Sequence, residues 1–336
     1  MNRMLSAGVA IALVAAGSMA AAQGRDVDQI LAGARTALGG EKLAAVKSVT
    51  AVGRTVRANP DGTSAENEFE LALELPDKYL MRSVIAAMGN MSVYRNTGFN
   101  GGQVIDEIDR PPNLSGGMIV IRMAGPGGAV DPEKMPAEQK AEFDQQRLLA
   151  NKKDYAKLAL GMFAMSPAAY PLALADGGQA ESPDGKADVI DVTGEGGFAA
   201  KLFIDAQTHL PLMLSWMDKE PLIMRMGPGG TMMGGAGGAR VLQGPGGGGH
   251  AEAAPSMSKE DREKAMADLD AKRKEAESKL RIVEFRIYYA DYKSVGGVQW
   301  PHRIQRSIDG KPTEEMVFDT IKVNPKIDAK KFQVAK

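Results

Sequence analysis

Between Glu66 and Leu75 the chain alternates acid and apolar side chains, with Glu66, Glu68, Glu70 and Glu74 on even positions and Phe69, Leu71, Leu73 and Leu75 on odd ones. A period of two puts each set on its own face of a strand, so this segment fits an antiparallel sheet buried on one side and wet on the other. Similar runs recur at 48–57, 78–86, 91–96, 102–107, 187–193, 199–205, 210–217, 281–292, 298–307 and 313–323. Turn signals such as Pro60-Asp61-Gly62, Asp205-Ala206-Gln207-Thr208 and Asp309-Gly310 separate several of them. The pattern predicts a mainly β, α+β protein of about eleven strands.

Helical spacing interrupts the strands in a few places. Asp26 and Gln29 stand at capping-box distance, Ile30, Leu31, Ala34 and Leu38 form a stripe of period 3.6, and Gly39-Gly40 ends it. Asp131-Pro132-Glu133 opens a helix-prone region that runs to Met165, with breaks expected at Pro136 and before Pro167. Ser258 to Lys279 is dense in charge and poor in apolar positions, as a solvated helix would be. Gly227 to Pro255 carries clustered glycines and reads as a flexible loop, and Gly116-Gly117 and Gly125 to Gly128 read as a smaller one.

At the N-terminus, Arg3 precedes an apolar stretch from Met4 to Ala22 that closes on Ala20-Ala21-Ala22. That order reads as a cleaved secretory signal peptide over residues 1–22, and the mature chain, 23–336, is expected in a bacterial periplasm. The chain has no cysteine, hence neither a lipid-accepting thiol nor a disulfide framework. Loss of residues 1–22 removes one Arg and no acid, taking the formal charge from −1 to −2. Such a balance favours neither nucleic acid nor an anionic membrane surface, so membrane contact is expected to be peripheral or transient only.

Few catalytic patterns are present. The histidines, His209, His250 and His302, share no ligand spacing, and no metal or cofactor is expected. Gly244 to Gly249 matches G-x-G-x-x-G only as any glycine tract would, and Ser256-x-x-Lys259 lacks the companion motifs of penicillin-recognising enzymes. Asp106, Glu107 and Asp109 form an acidic cluster that reads as a solvated turn, with a hydrolase using Asp106 and Glu107 as the sharper alternative. Methionines gather at Met81, Met88 and Met91, at Met162 and Met165, and at Met213, Met217, Met224 and Met226, where core filling is the simple reading and an adaptable apolar surface the other.

The C-terminal third carries a more particular wording. Tyr288 to Ile304 (YYADYKSVGGVQWPHRI), Asp309-Gly310-Lys311-Pro312 and Val323 to Phe332 (VNPKIDAKKF) resemble the end of LolA-like outer-membrane lipoprotein-sorting and lipoprotein-carrier proteins. Phe203 to Leu212 (FIDAQTHLPL) resembles the Asp-x-x-Thr-x-x-Pro hairpin of that group, and Ala37 to Leu43 (ALGGEKL), leading to Val49, its opening helix and first strand. The resemblance implies a single strongly curved antiparallel sheet, an unclosed half-barrel with plugging helices, here with insertions at about 110–165 and 222–280. It also implies a non-enzymatic carrier whose apolar cavity takes acyl chains of lipids or acylated proteins. Strand parity then nominates Phe69, Leu71, Leu73, Leu202, Ile204, Leu212, Leu214, Trp216, Phe285 and Ile287, with Met162 and Phe163 from a plugging helix. The alternative is an envelope sensor or interaction module in which the barrel is structural and the insertions recognise an envelope protein.

Overall fold

The computed structural model describes residues 26–58, 63–88, 91–109, 124–125, 128–129, 135–183, 185–226, 230–234, 240–243, 267–268, 271–272 and 274–333. The proposed signal peptide lies outside these residues, as do Asp131-Pro132-Glu133 and most of the glycine-rich stretch. Two compact units emerge. The first comprises Met1–Asp109, Lys152–Met217 and Glu284–Lys336, and the second Arg110–Asn151 and Asp218–Val283.

The chain forms helices α1 (Val27–Leu38), α2 (Glu41–Ala44) and α3 (Ala137–Phe163). Its strands are β1 (Ser48–Ala58), β2 (Ser64–Glu74), β3 (Lys78–Met88), β4 (Met91–Asn100), β5 (Gln103–Asp109), β6 (Ala124–Gly125), β7 (Gly128–Ala129), β8 (Leu172–Ser182), β9 (Gly185–Gly194), β10 (Phe198–Asp205), β11 (Pro211–Lys219), β12 (Leu222–Met226), β13 (Gly230–Gly234), β14 (Arg240–Gln243), β15 (Ile282–Val295), β16 (Val298–Ile308) and β17 (Lys311–Val323). Twelve of them make one sheet in the order β5-β4-β3-β2-β1-β17-β16-β15-β11-β10-β9-β8. Its outermost strands, β5 and β8, do not pair with each other, so the curved sheet stays unclosed. Register breaks at Val52/Gly53, Val84/Ala86, Asp176/Gln179, Phe203/Ile204 and Arg306/Ser307 supply local bends, since a bulge adds twist to its strand.

The predicted strands are present in the large sheet, and β8 is an addition to it. Its sequence, LALADGGQAES, hides the alternation because Gly177 and Gly178 fall at the bulge between Asp176 and Gln179. A second difference concerns the glycine-rich stretch, read as a flexible loop from Gly227. Within it β13 and β14 pair, and β13 pairs in turn with β12.

Helix α1 starts where the sequence sets its cap, with the Asp26 carboxylate accepting from the amide of Asp28 at 2.9 Å, and it buries Leu31, Ala34 and Leu38. Helix α3 begins directly after Pro136 and continues unbroken to Phe163. Its last turns bury Tyr155, Ala156, Leu158, Ala159, Leu160, Met162 and Phe163. Tyr155 contacts Tyr79 and Phe99 at centroid distances of 5.7 and 5.5 Å, and Phe163 meets Trp300 edge-on at 5.4 Å. The Tyr289 hydroxyl donates to the Lys157 carbonyl at 2.7 Å. A Cβ added at Gly161 would run into the Tyr289 ring. The opposite face carries a smaller cluster, in which Phe332 and Ile327 cover Ala72, Leu80 and Ile105.

The Gly161→Ala variant is therefore expected to lose about 1–3 kcal/mol of stability through overpacking, measured by urea unfolding, whereas an exposed Gly→Ala change that strains no backbone would be near neutral. The β10–β11 hairpin gives a pH test. Partial burial would raise the Asp205 pKa, but the amide and hydroxyl of Thr208 and the amide of Gln207 donate to its carboxylate and bring it below the usual value. A lowered pKa stabilises the fold above the unfolded value and the benefit disappears as pH falls through the folded one. Asp205→Ala should thus cost roughly 0.5–1.5 kcal/mol at neutral pH, and the gap to wild type should close below about pH 4.

Candidate functional site

The face of the sheet that α3 covers holds nine of the ten strand residues nominated by parity; Leu212 is the extra residue of a bulge in β11, where Phe203 lies opposite Met213 and Ile204 opposite Pro211. Phe69, Leu71, Leu73, Leu202, Ile204, Leu214 and Ile287, together with Met162 and Phe163 of α3, are each exposed by 2% or less. These nine form a filled apolar base. Phe69 packs edge-on against Phe318 at 5.2 Å, and Leu202 lies opposite Leu214 on the neighbouring strand.

Leu212, Trp216 and Phe285 differ in keeping accessible surface. Trp216 on β11 and Phe285 on β15 stack with centroids 5.4 Å apart and an interplanar angle of 14°. Their strands are neighbours in the sheet, so the pair forms a flat apolar shelf across the strand boundary. The Lys157 ammonium of α3 stands 4.5 Å from the centre of the Trp216 ring and also pairs with Asp154 at 3.0 Å.

Beside the shelf runs a row of charged side chains that apolar parity alone did not nominate. Arg57 on β1 is directly opposite Glu314 on β17, which is opposite Arg306 on β16, which is opposite Ile287 on β15. Glu314, only 12% exposed, accepts from Arg57 in a close ion pair. Arg306 approaches the same carboxylate from 3.7 Å, too far for a hydrogen bond. Burial opposes the charge on Arg306, but Glu314 and then Asp154 outweigh it and hold the guanidinium pKa above its ordinary value. Tyr289, buried nearby, has its phenol pushed well above the usual range by desolvation, with Arg306 acting in the opposite direction. A signal for this row exists in the sequence. Arg57, Arg306 and Glu314 fall in phase with Gly53, Ile304 and Met316, all buried, so their charges interrupt an inward-facing pattern.

The acidic cluster is divided by the pleat. Asp106 and Glu107 are consecutive in β5 and face opposite sides of the sheet, so they cannot act as a carboxylate pair on one bond. Asp106 takes a two-pronged hydrogen bond from Arg95, both contacts at 2.8 Å, with the side chains only 7% and 11% exposed. Asp109 pairs with Arg82 at 2.9 Å on the opposite face. On that face Val52, Arg54, Glu68, Glu70, Arg82, Tyr94 and Asp319 ring a hollow of about 280 Å³. Its charges are largely matched, Arg54 with Glu66 and Asp319, and Arg82 with Glu70 and Asp109, so it is a surface ion-pair network. His302 is buried with Nδ1 3.0 Å from the Trp300 carbonyl, and His209 occupies the β10–β11 turn.

No family model matches the chain, and no curated protein does. Among solved structures, a LolA superfamily protein from Nitrosomonas europaea is similar at 9% identity and a TM-score of 0.44, over 92% of this chain and 98% of that one. A DUF1329 family protein from Desulfovibrio piger is similar at 8% identity and a TM-score of 0.42, over 91% and 97%. An outer membrane lipoprotein-sorting protein domain from Vibrio parahaemolyticus is similar at 8% identity and a TM-score of 0.40, again over 91% and 97%. Among the described residues, no helix is long and apolar enough to cross a membrane.

Asp106→Asn should cost on the order of 3 kcal/mol in urea unfolding, because it leaves the nearly buried Arg95 without its counter-charge. A double change to Asp106→Leu with Arg95→Met should recover most of that loss, as expected of a structural ion pair.

Proposed function

We propose that the protein is a periplasmic, non-enzymatic carrier or binder of lipids or lipidated proteins, and that the acyl chain lies on the α3-covered face of the sheet. The observation that carries this reading is the stacked Trp216–Phe285 pair. Beside the nine side chains exposed by 2% or less, these two stacked rings keep part of their apolar surface accessible. Flat aromatic surface of this kind gains most from covering by another apolar group, and each ring offers on the order of 150–250 Å² when fully buried. An acyl chain of roughly 15 methylenes carries about 12 kcal/mol of gross transfer free energy, enough to hold a lipid in transit after the cost of immobilising it.

The nine buried residues act as the rigid base beneath the chain, with Phe69, Leu71 and Leu73 toward β1 and Leu202, Ile204 and Leu214 toward β10. The sequence phrases shared with lipoprotein-sorting proteins support the same class of ligand. An exported location, with transient contact at a membrane to load and unload, follows from the N-terminal signal and from such a cargo.

Native mass spectrometry of the chain, produced with its own leader in a Gram-negative host and purified without detergent, should show a lipid or acylated peptide at near one-to-one stoichiometry. An apolar protein surface that stays empty and also fails to take up a fluorescent fatty acid would sink the carrier reading. Trp216→Leu with Phe285→Leu should reduce uptake by at least tenfold; because both rings are largely buried the pair also loses stability, so uptake is compared at a temperature where circular dichroism shows the variant folded. Deleting residues 227–280 should leave uptake intact, whereas a sensor that recognises its partner through that insertion would lose the partner.

A further inference from the structure

The charged groups beside the shelf are unevenly engaged. Arg57, Arg306 and Lys157 bring three positive charges to the shelf and its margin, while Glu314 and Asp154 bring two negative ones. Lys157 is engaged by Asp154 at 3.0 Å, and Arg57 by Glu314 in the close pair. Arg306 is left with a carboxylate already taken, 3.7 Å away. Its Nε is buried and has no hydrogen-bond partner among the described residues. Its side chain as a whole is nevertheless 39% accessible, so Arg306 is not sealed in the base as the nine apolar residues are. A guanidinium with donors to spare, beside an already occupied carboxylate, is a site for an added anion of matching planar or tetrahedral geometry.

We infer that Arg306 holds the anionic head group of the cargo, so that the ligand is a charged amphiphile, a long acyl chain ending in a carboxylate or a phosphate. The inference rests on the carrier reading above and adds the chemistry of the head. Placement supports it. Arg306 is opposite Ile287, and Phe285 is opposite Ile308, so on adjacent antiparallel strands Arg306 and Phe285 are diagonal neighbours on one face. Such diagonals separate Cα atoms by about 7–8 Å, so a head group on Arg306 starts its chain at the edge of the Trp216–Phe285 shelf. A neutral head would offer the Arg306 donors no opposite charge, whereas an anion would receive charge-assisted hydrogen bonds from them.

The test compares oleate with oleyl alcohol, which share a chain and differ in head charge, by intrinsic fluorescence titration of the full-length secreted protein. Trp216→Phe serves as the control that assigns the signal to the shelf. Wild type should bind oleate roughly tenfold or more tightly than oleyl alcohol, the size of one charge-assisted interaction. Arg306→Gln should abolish that preference while changing oleyl alcohol affinity less than twofold, and Arg306→Lys should retain part of it. Equal affinities for the two ligands in wild type would overturn the head-group assignment and leave the carrier reading standing. Binding of neither would remove both. Inorganic phosphate that displaces oleate with an affinity equal to oleate's own would show a simple anion site and overturn the amphiphile. If circular dichroism shows Arg306→Gln unfolded, the wild-type preference and the Arg306→Lys variant still decide the matter.

Discussion

Gly161 of α3 has no Cβ, and the ring of Tyr289 in β15 fills the space that one would take. That seat brings the helix close enough for the Tyr289 hydroxyl to donate to the Lys157 carbonyl at 2.7 Å. Both contacts fix the rotation of α3 about its axis, and the rest of the covered face follows from it. Tyr155 is delivered to Tyr79 and Phe99, Phe163 to Trp300, and Lys157 to the Trp216 ring. A helix held farther out would leave the aromatic clusters without partners on one side, and dispersion contacts fall off steeply with such a gap.

The same face combines two physical regimes. Its base is close-packed hydrocarbon, the ordinary interior of a folded domain. Its margin holds arginines and carboxylates in a region of restricted solvent, where an ion pair is stabilising only when its partners are well matched. Arg95 with Asp106 is matched by two short hydrogen bonds. Glu314, shared unequally between Arg57 and Arg306, is not. The loosely held Arg306 lies beside the partly accessible rings of Trp216 and Phe285, so a hydrogen-bond donor without a partner and apolar surface meet at one place. An amphiphile is the kind of molecule that answers both.

Much of this architecture could be read from residue order. Alternation in Glu66 to Leu75 assigned Phe69, Leu71 and Leu73 to the interior because a strand has only two faces, and the Asp26 cap and Gly39-Gly40 bracketed α1 because chain ends of a helix need those groups. Strand β8 escaped because its two glycines sit at a bulge, where the period of two is interrupted. The charged row escaped for another reason. Parity was used to collect apolar side chains, and Arg57, Arg306 and Glu314 occupy inward positions without being apolar. Whether an inward residue is sealed, as Leu71 is, or left accessible, as Trp216 is, depends on where α3 lies, and that placement is a tertiary fact set by Gly161 and Tyr289.

The unclosed sheet has two rims, and the one formed by β5 has a particular character. Asp106, Glu107 and Asp109 crowd its short outermost strand, while β8 at the other rim is bent by its Gly177-Gly178 bulge. A bare strand edge is a template onto which a foreign chain can add, a hazard for any protein that displays one. The shortness of β5 leaves little edge to pair with, and the bend in β8 spoils the straight line that a partner would need. Among the described residues, the two rims are thus built so that neither presents a long straight template to a foreign strand.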